Sequence, residues 1–240
     1  MSDTLLQLQA VHTHIGPYHI LQGVDLHVPR GRLTMLLGRN GAGKSTTLRT
    51  IMGLWQASAG ELTLEGASIK GMNTADIALR GIGYVPENMG IFSDLSVREN
   101  MLLAARSGPI DRQRLEWIFG LFPALRQFWE KPAGKLSGGQ KQMVAIARAI
   151  IEKRKLYMFD EPSKGLAPVM VNSMIAALRE LKQQGATILL VEQNLAVAHA
   201  LGDTVAVMDS GRVIHHGSMA ELGADAGLQH RLLGLSVGAH

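Results

Sequence analysis

Cysteine is absent from this chain of 240 residues. Without thiols the chain can form neither a disulfide framework nor a thiolate metal site, which fits a reducing cytosol. No apolar run approaches the ~20 residues needed to cross a bilayer, so any work at a membrane would need spans from another chain. The first residues, Met1-Ser2-Asp3-Thr4, contain no basic stretch followed by an apolar one. We therefore expect no secretory signal.

Charge of either sign is also sparse and scattered. The formal net charge is +4, and the one small basic cluster is Lys153-Arg154-Lys155. A nucleic-acid-binding protein would group its basic residues in a patch or stripe, so we expect no nucleic acid partner. The apolar fraction of 46% is normal for one large globular domain, or for one domain with subdomains.

A glycine-rich segment carries the most specific signal. Residues 38–45 fit the P-loop pattern G-x-x-x-x-G-K-[ST] at every fixed position. Its glycines let backbone N–H groups curl around phosphate oxygens, Lys44 can reach the β- and γ-phosphates, and the Ser45 hydroxyl can ligate Mg²⁺. An apolar strand at 33–37 and a helix at 46–52 are predicted around it, which favours a phosphate site over an ordinary turn. The predicted nucleotide-binding residues here are Gly38, Arg39, Asn40, Gly41, Ala42, Gly43, Lys44, Ser45 and Thr46.

Hydrophobic patterning divides the chain into three parts. The first third predicts strands with alternating apolar residues, as at Leu6, Leu8 and Ala10. Capping boxes and apolar periodicity predict a helical insert over about 90–150. The last third alternates buried strands with helices, which predicts a parallel sheet covered on both faces and an α/β fold. The strands predicted after the P-loop are 60–64, 82–85, 156–159, 187–191 and a hairpin of 204–208 with 212–215.

Two adjacent carboxylates follow the predicted strand 156–159. Ligand sites in parallel sheets lie at the carboxyl ends of strands. There Asp160 would hold Mg²⁺ through its water shell, and Glu161 would polarise an attacking water as general base. The alternative is an acidic helix N-cap region without chemistry.

A second helix start combines a capping box with glycines. It reads Leu136-Ser137-Gly138-Gly139-Gln140. Its glycines expose backbone N–H groups at a helix N-terminus, so Ser137, Gly138, Gly139 and Gln140 can form a second phosphate cradle. Taken alone, such a box begins many helices.

Together these segments carry a family resemblance. The P-loop, the run 136–140 and Phe159-Asp160-Glu161-Pro162 occur in the order and spacing seen in the nucleotide-binding subunits of ATP-binding cassette (ABC) transporters, which the whole chain resembles. The resemblance implies a P-loop NTPase core with a mostly parallel sheet, an antiparallel β subdomain and a helical subdomain. We expect a single cassette: the β subdomain and P-loop part of the core in 1–85, the helical subdomain in 86–150, the rest of the core in 151–223, and a tail in 224–240.

The resemblance also implies how such a subunit works. Two cassettes pair head to tail, so that residues 137–140 of one face the γ-phosphate held by the P-loop of the other. ATP and Mg²⁺ would bind between them, and hydrolysis would drive transmembrane permeases served by an extracytoplasmic solute-binding protein. The chain would lie peripherally on the cytoplasmic face of the inner membrane, paired with an identical or an unlike cassette.

Departures from the broad family pattern narrow the resemblance. Glu87 replaces the usual glutamine after strand 82–85, Ala167 replaces an aspartate, and Gln193 replaces a histidine. These runs are similar to the LivF-like cassettes of branched-chain amino acid importers. Importers of urea, short amides or aromatic acids remain alternatives. A soluble ABC ATPase acting on DNA or ribosomes is disfavoured because no coiled-coil insert or tandem cassette is present. A non-catalytic regulatory cassette is disfavoured by the intact lysine and carboxylates.

The replaced residues have their own expected roles. We predict that Gln193 is catalytic by donating a hydrogen bond to the γ-phosphate without carrying a proton, the alternative being a helix cap. Glu87 could add charge near Mg²⁺ as a third metal-site residue with Ser45 and Asp160, or face the permease, or be a plain loop acid. The aromatic residue that stacks on adenine in the family aligns near Ile15, with Tyr18 and His14 close by.

Overall fold

The computed structural model describes residues 3–106 and 108–233, which form two sheets surrounded by helices. The strands of the described ranges are β1 (Thr4–Ile15), β2 (Tyr18–Pro29), β3 (Leu33–Gly38), β4 (Ala57–Leu64), β5 (Ala67–Ser68), β6 (Ile82–Val85), β7 (Leu156–Asp160), β8 (Thr187–Val191), β9 (Thr204–Asp209) and β10 (Arg212–Ser218). The helices are α1 (Lys44–Ile51), α2 (Thr74–Leu79), α3 (Val97–Ala104), α4 (Arg112–Leu121), α5 (Pro123–Gln127), α6 (Gly138–Ile150), α7 (Pro168–Gln183), α8 (Leu195–Leu201), α9 (Met219–Ala224) and α10 (Ala226–Leu233).

The central sheet has the order β10-β9-β3-β8-β7-β6, and it is parallel except for the β9–β10 hairpin. Strands β7 and β8 are buried along their whole length, as expected of strands covered on both faces. Along β3 the side chains alternate: Met35 and Leu37 join a core with the helical side, and Leu36 joins a second core with β1 and β2. Each fully buried leucine contributes roughly 1.5–3 kcal/mol relative to exposure, so the two cores fix this sheet in place. The predicted parallel sheet is confirmed.

The second sheet is antiparallel, with the order β2-β1-β4-β5. The predicted alternation along β1 holds for Leu6 and Leu8, which are buried, but is wrong at Ala10, which is exposed. A bulge between Leu8 and Val11 shifts the register, and Ala10 takes a positive φ of 46°. Val11 therefore continues the buried face instead.

Between β6 and β7 the described residues form the α-helices α3 to α6 and a short 3-10 helix (Ala133–Lys135), as the helical patterning of residues 90–150 predicts. Both predicted capping boxes form, at Ser96 with Glu99 and at Ser137 with Gln140. The buried face of α6 includes Ile146, Ala147 and Ile150, which pack into the core on the helical side of the sheet.

The C-terminal part continues in helices. Ser218 caps α9, and α10 occupies the first part of the tail expected over 224–240. Residues 234–240 lie outside the described residues. In the described ranges, no helix combines the length and apolar character that a bilayer span requires.

Candidate active site

The P-loop joins β3 to α1, and its geometry requires glycine. Gly38 has φ 146°, and a Cβ there would lie 2.2 Å from the carbonyl oxygen of Met208. Gly43, at φ 105°, is the N-cap of α1 and supplies no side chain to cap the helix. The first turn of α1 also has no acidic residue, so its N–H groups and positive dipole end are available to an anion.

Lys44 is buried, with 4% of its surface exposed. Its ammonium group donates to the carbonyl oxygens of Gly38 at 2.9 Å and Arg39 at 3.0 Å, and it lies 3.6 Å from the Glu161 carboxylate. The cation is thus held at the floor of the loop by backbone groups that it can exchange for phosphate oxygens.

Ser45 and Asp160 meet, as a shared Mg²⁺ site would require. The Ser45 hydroxyl donates to Asp160 Oδ1 at 2.9 Å, and the Tyr84 hydroxyl lies 3.4 Å from Oδ2. Burial raises the pKa of Asp160, the Ser45 hydrogen bond opposes this, and the nearby Glu87 and Glu161 charges raise it further. The Ser45 hydroxyl and the buried Asp160 carboxylate offer hard oxygen ligands of the kind that Mg²⁺ prefers.

Glu161 follows Asp160 with φ +48°, a conformation that is unusual for a residue other than glycine. Its side chain is 9% exposed and lies between two ammonium groups, that of Lys44 and that of Lys164 at 3.7 Å. Gln193 Nε2 donates to Glu161 Oε1 at 2.5 Å and to Asn40 Oδ1 at 2.6 Å. The structure therefore brings the two residues predicted as catalytic into direct contact beside the P-loop.

Glu87 reaches the same place from the loop after β6, but with a different partner from the predicted one. Its carboxylate is exposed and pairs with Lys164 at 2.6 Å. Ser45 and Asp160 bond to each other without it. Glu87 thus stands at the rim of the site as one half of an ion pair, which favours a role for it outside the metal's nearest ligands.

A cavity of about 340 Å³ is bordered by several of these groups, among them Lys44, Ser45 and Glu161, while Gln193 lines a neighbouring cavity. Its wall consists of P-loop and α1 residues together with Ile20, Glu87, Glu161 and Lys164. Tyr18, one of the candidates for stacking on adenine, is 70% exposed, and the ring of His14 stacks on His19 at 4.2 Å. From the β1–β2 hairpin, Ile20 of β2 lines the cavity, and the sequence analysis did not identify it.

Lys164 and Glu192 were also missed. Lys164 follows Glu161 by three residues, and that spacing on a turn is the signal that could have found it. Glu192 is a charged residue directly after the apolar run 187–191, and it is 2% exposed. Burial raises the pKa of Glu192, and hydrogen bonds from Ser163 oppose the shift.

The second glycine segment lies apart from this cavity. Ser137 caps α6, with its hydroxyl accepting from Gln140 N at 3.3 Å and its own N–H donating to Gln140 Oε1 at 2.9 Å. Ser137 and Gly138 are exposed. Among the described residues, the cavity wall includes no member of 137–140, so a single chain does not bring the two predicted cradles together.

The fold and the site define a P-loop ATPase of the cassette type. A family model described as "ABC transporter" matches residues 21–164. The chain belongs to the ABC transporter family and is an ATPase of that family.

Individual relatives agree with this assignment. The chain is 37% identical to the high-affinity branched-chain amino acid transport ATP-binding protein BraG of Pseudomonas aeruginosa, over 91% of this chain and 94% of the relative. It is 36% identical to the probable branched-chain amino acid transport ATP-binding protein LivF of Archaeoglobus fulgidus, over 85% and 88%.

Solved structures show the same fold. An ATP-binding subunit of an ABC transporter superposes with a TM-score of 0.79 at 30% identity, over 94% of each chain. A nucleotide-free ATP-binding cassette superposes with a TM-score of 0.78 at 26% identity, over 94% of this chain and 97% of the other. The predicted cassette fold is confirmed.

Proposed function

We propose that the chain binds and hydrolyses ATP as a subunit of an importer for branched-chain or related amino acids. ATP hydrolysis is supported by one observation, the hydrogen bond from Gln193 to Glu161. This contact lies beside the Ser45–Asp160 pair, with Lys44 3.6 Å from the Glu161 carboxylate. The solute class is supported by the similarity to BraG and LivF.

The side chains divide the work by their chemistry. Lys44 and the N–H groups of α1 bind the β- and γ-phosphates of ATP. Ser45 and, through its water shell, Asp160 would hold Mg²⁺, which would supply positive charge against the phosphate oxygens. Glu161 accepts a proton from the attacking water.

Gln193 has a positioning task because its amide does not titrate near neutral pH. It can donate to the γ-phosphate from the place where it now bridges Glu161 and Asn40. Glu87 stays outside the metal's nearest ligands and pairs with Lys164.

A second cassette completes the site in this proposal. Ser137, Gly138, Gly139 and Gln140 of that molecule, identical or unlike, face the γ-phosphate. The exposure of Ser137 and Gly138 at the start of α6, away from the chain's own cavity, supports this. Permeases supply the membrane spans, so the chain works at the cytoplasmic face of the membrane, indirectly served by a solute-binding protein.

The subdomain division follows the same scheme. The antiparallel sheet lies within 1–85, together with β3, the P-loop and β6 of the core. Helices α3 to α6 lie within 86–150, and β7 to α9 within 151–223, apart from the last residue of α9. The tail is 224–240.

Other solutes are the main alternative. Relatives named for methionine and arginine transport are 34% and 33% identical, so the family assignment does not itself select the solute. Urea, short amides and aromatic acids belong to the same alternative, and an ATPase uncoupled from transport is a further one.

Two experiments test the proposal. Purified wild-type protein should release phosphate from Mg²⁺-ATP, and Glu161→Gln should lower the rate by about 10²–10⁴-fold, the usual contribution of general base catalysis. Failure of Glu161→Gln to slow hydrolysis would refute the assignment of the base.

A second experiment tests the solute class. Deleting the gene should abolish uptake of labelled leucine, isoleucine or valine. Unchanged uptake of all three would reject branched-chain import.

A further inference from the structure

The carboxylate of Glu192 is buried directly behind the candidate active site. Glu192 directly follows β8 and is 2% exposed. Its four donors are uncharged: the N–H and hydroxyl of Ser163, and the N–H groups of Gln193 and Asn194 at 3.3 and 3.5 Å. A buried charge with no role in chemistry is costly, so its retention calls for another explanation.

Ser163 donates two hydrogen bonds to this carboxylate. Its N–H donates to Oε1 at 3.0 Å and its hydroxyl donates to Oε2 at 2.7 Å. Ser163 lies two residues after Glu161. On the other side, the N–H of Glu161 donates to the carbonyl of Val191 at 2.9 Å. The segment around Glu161 is therefore fastened to the end of β8 at two points.

Glu161, which lies in the segment held by these hydrogen bonds, has a strained backbone. Glu161 has φ +48°, which costs free energy for a side chain other than glycine and persists only where the surroundings impose it. The strained backbone places the Glu161 carboxylate against Gln193 Nε2, and Gln193 is the residue directly after Glu192. One buried carboxylate is thus hydrogen-bonded to Ser163, two residues after Glu161, and to the N–H of Gln193.

We propose that Glu192 is a positioning residue that, through Ser163, holds the backbone of Glu161 in its left-handed conformation and so aims the Glu161 carboxylate. The inference rests on the proposed function, since it assigns Glu161 to hydrolysis. It adds a residue that touches neither nucleotide nor metal.

The test uses Glu192→Gln, Ser163→Ala and Ser163→Thr in the full chain. Glu192→Gln presents an amide donor to Ser163, and Ser163→Ala removes the hydroxyl bond. We expect both to lower kcat by about tenfold or more, because small misplacements of a reacting group cost up to about 10²-fold. The KM for ATP should stay within about twofold, since Lys44 and the P-loop are untouched. Ser163→Thr keeps the hydroxyl and should restore kcat.

Hydrogen exchange gives a readout independent of activity. The Glu161 amide should exchange faster in Glu192→Gln and Ser163→Ala, because its bond to Val191 depends on the fastened conformation. Matched controls exist in the helical part, where Ser96 also donates its N–H and hydroxyl to one glutamate, Glu99. Glu99→Gln and Ser96→Ala should leave kcat and Glu161 exchange unchanged.

Several results would overturn the inference. Wild-type kcat and exchange in Ser163→Ala would do so, as would a fall in thermal stability with no change in kcat for either variant. Ser163→Ala keeps the test available if Glu192→Gln does not fold. A wild-type protein without ATPase activity would instead refute the proposed function and, with it, the catalytic purpose of the hydrogen bonds between Glu192 and Ser163. The exchange data would still show whether Glu192 holds the Glu161 backbone.

Discussion

Two glycine-containing helix starts in this protein differ in how much of a site surrounds them. α1 begins at Gly43 without a side-chain cap, and the cation of Lys44 lies buried beside it. α6 begins at Ser137, is capped by its own serine and Gln140, and stands exposed. Both present a positive helix end to an anion, but only the first has carboxylates and a cation within 4 Å of each other.

The topology explains this difference. β3, β8 and β7 are neighbours in a parallel sheet, so their carboxyl ends deliver Lys44, Gln193 and Glu161 to one place. The start of α6 belongs to the helical segment between β6 and β7 and is not on that edge. This difference supports the proposal that the first helix start forms the larger part of a site and that the second contributes to the site of another molecule.

Among substitutions that separate the two helix starts, the largest effect should come from removing the Lys44 cation beside α1. Lys44→Ala should lower kcat for ATP hydrolysis by about 10²–10³-fold, the usual cost of one group that stabilises the transition state. Lys70→Ala is a matched control, since its ammonium also donates to a backbone carbonyl, that of Gly60, but on the antiparallel sheet. Phosphate release measures both. Equal activities would contradict the assignment of residues 38–46.

Ser137→Arg tests the role of the exposed start of α6. A bulky cation at the start of α6 should lower the ATPase rate by about 10–10²-fold, because donors facing the phosphate are displaced. Nucleotide affinity of the single chain, measured by titration with a fluorescent ATP analogue, should stay within about twofold. Ser96→Arg, at another capping-box serine, is the control. A matching loss of affinity would show that α6 acts in its own chain's site.

Gln193→Ala should have a moderate effect. The Gln193 amide donates to charged oxygens, so the loss should cost about 1.5 kcal/mol, or roughly tenfold in rate. Gln193→His should keep activity but shift the pH profile by about a unit or more, since a titrating group replaces one that does not titrate. Full activity of Gln193→Ala would reject the contact with phosphate.

Glu87→Gln should have the smallest effect. The Glu87–Lys164 pair is exposed, and such pairs contribute about 0–1 kcal/mol. The Mg²⁺ concentration that half-activates hydrolysis should therefore change by less than about fivefold, whereas Asp160→Asn should raise it far more. A Glu87→Gln effect as large as that of Asp160→Asn would restore Glu87 to the metal's nearest ligands.

Much of the fold could be predicted from the sequence, and each wrong prediction has a specific structural cause. Buried strands and capping boxes are encoded in neighbouring residues, so β7, β8 and the start of α6 follow from patterns. Ala10 breaks the alternation because a bulge depends on pairing with β2, which no short window contains. Backbone dihedral angles such as that of Glu161 are likewise invisible in composition.

The site shows the same limit. Motifs place Lys44, Ser45, Asp160 and Glu161 because each fixed residue has a chemical task. Glu192 and Ser163 lie 29 residues apart and meet only when β7 and β8 pair. Glu87 carries an expected role near Mg²⁺ from its position alone, and only the side-chain geometry shows that Lys164 is its partner.

The central claim is that residues 137–140 complete the nucleotide site of a second molecule. The most direct measurement is the mass in solution of Glu161→Gln with Mg²⁺-ATP, compared with the same variant carrying Ser137→Arg. The account predicts that Glu161→Gln changes from the 25.9 kDa monomer to a dimer when ATP is added, and that Ser137→Arg abolishes this change. An ATP-dependent dimer that forms equally well with Ser137→Arg would contradict the account.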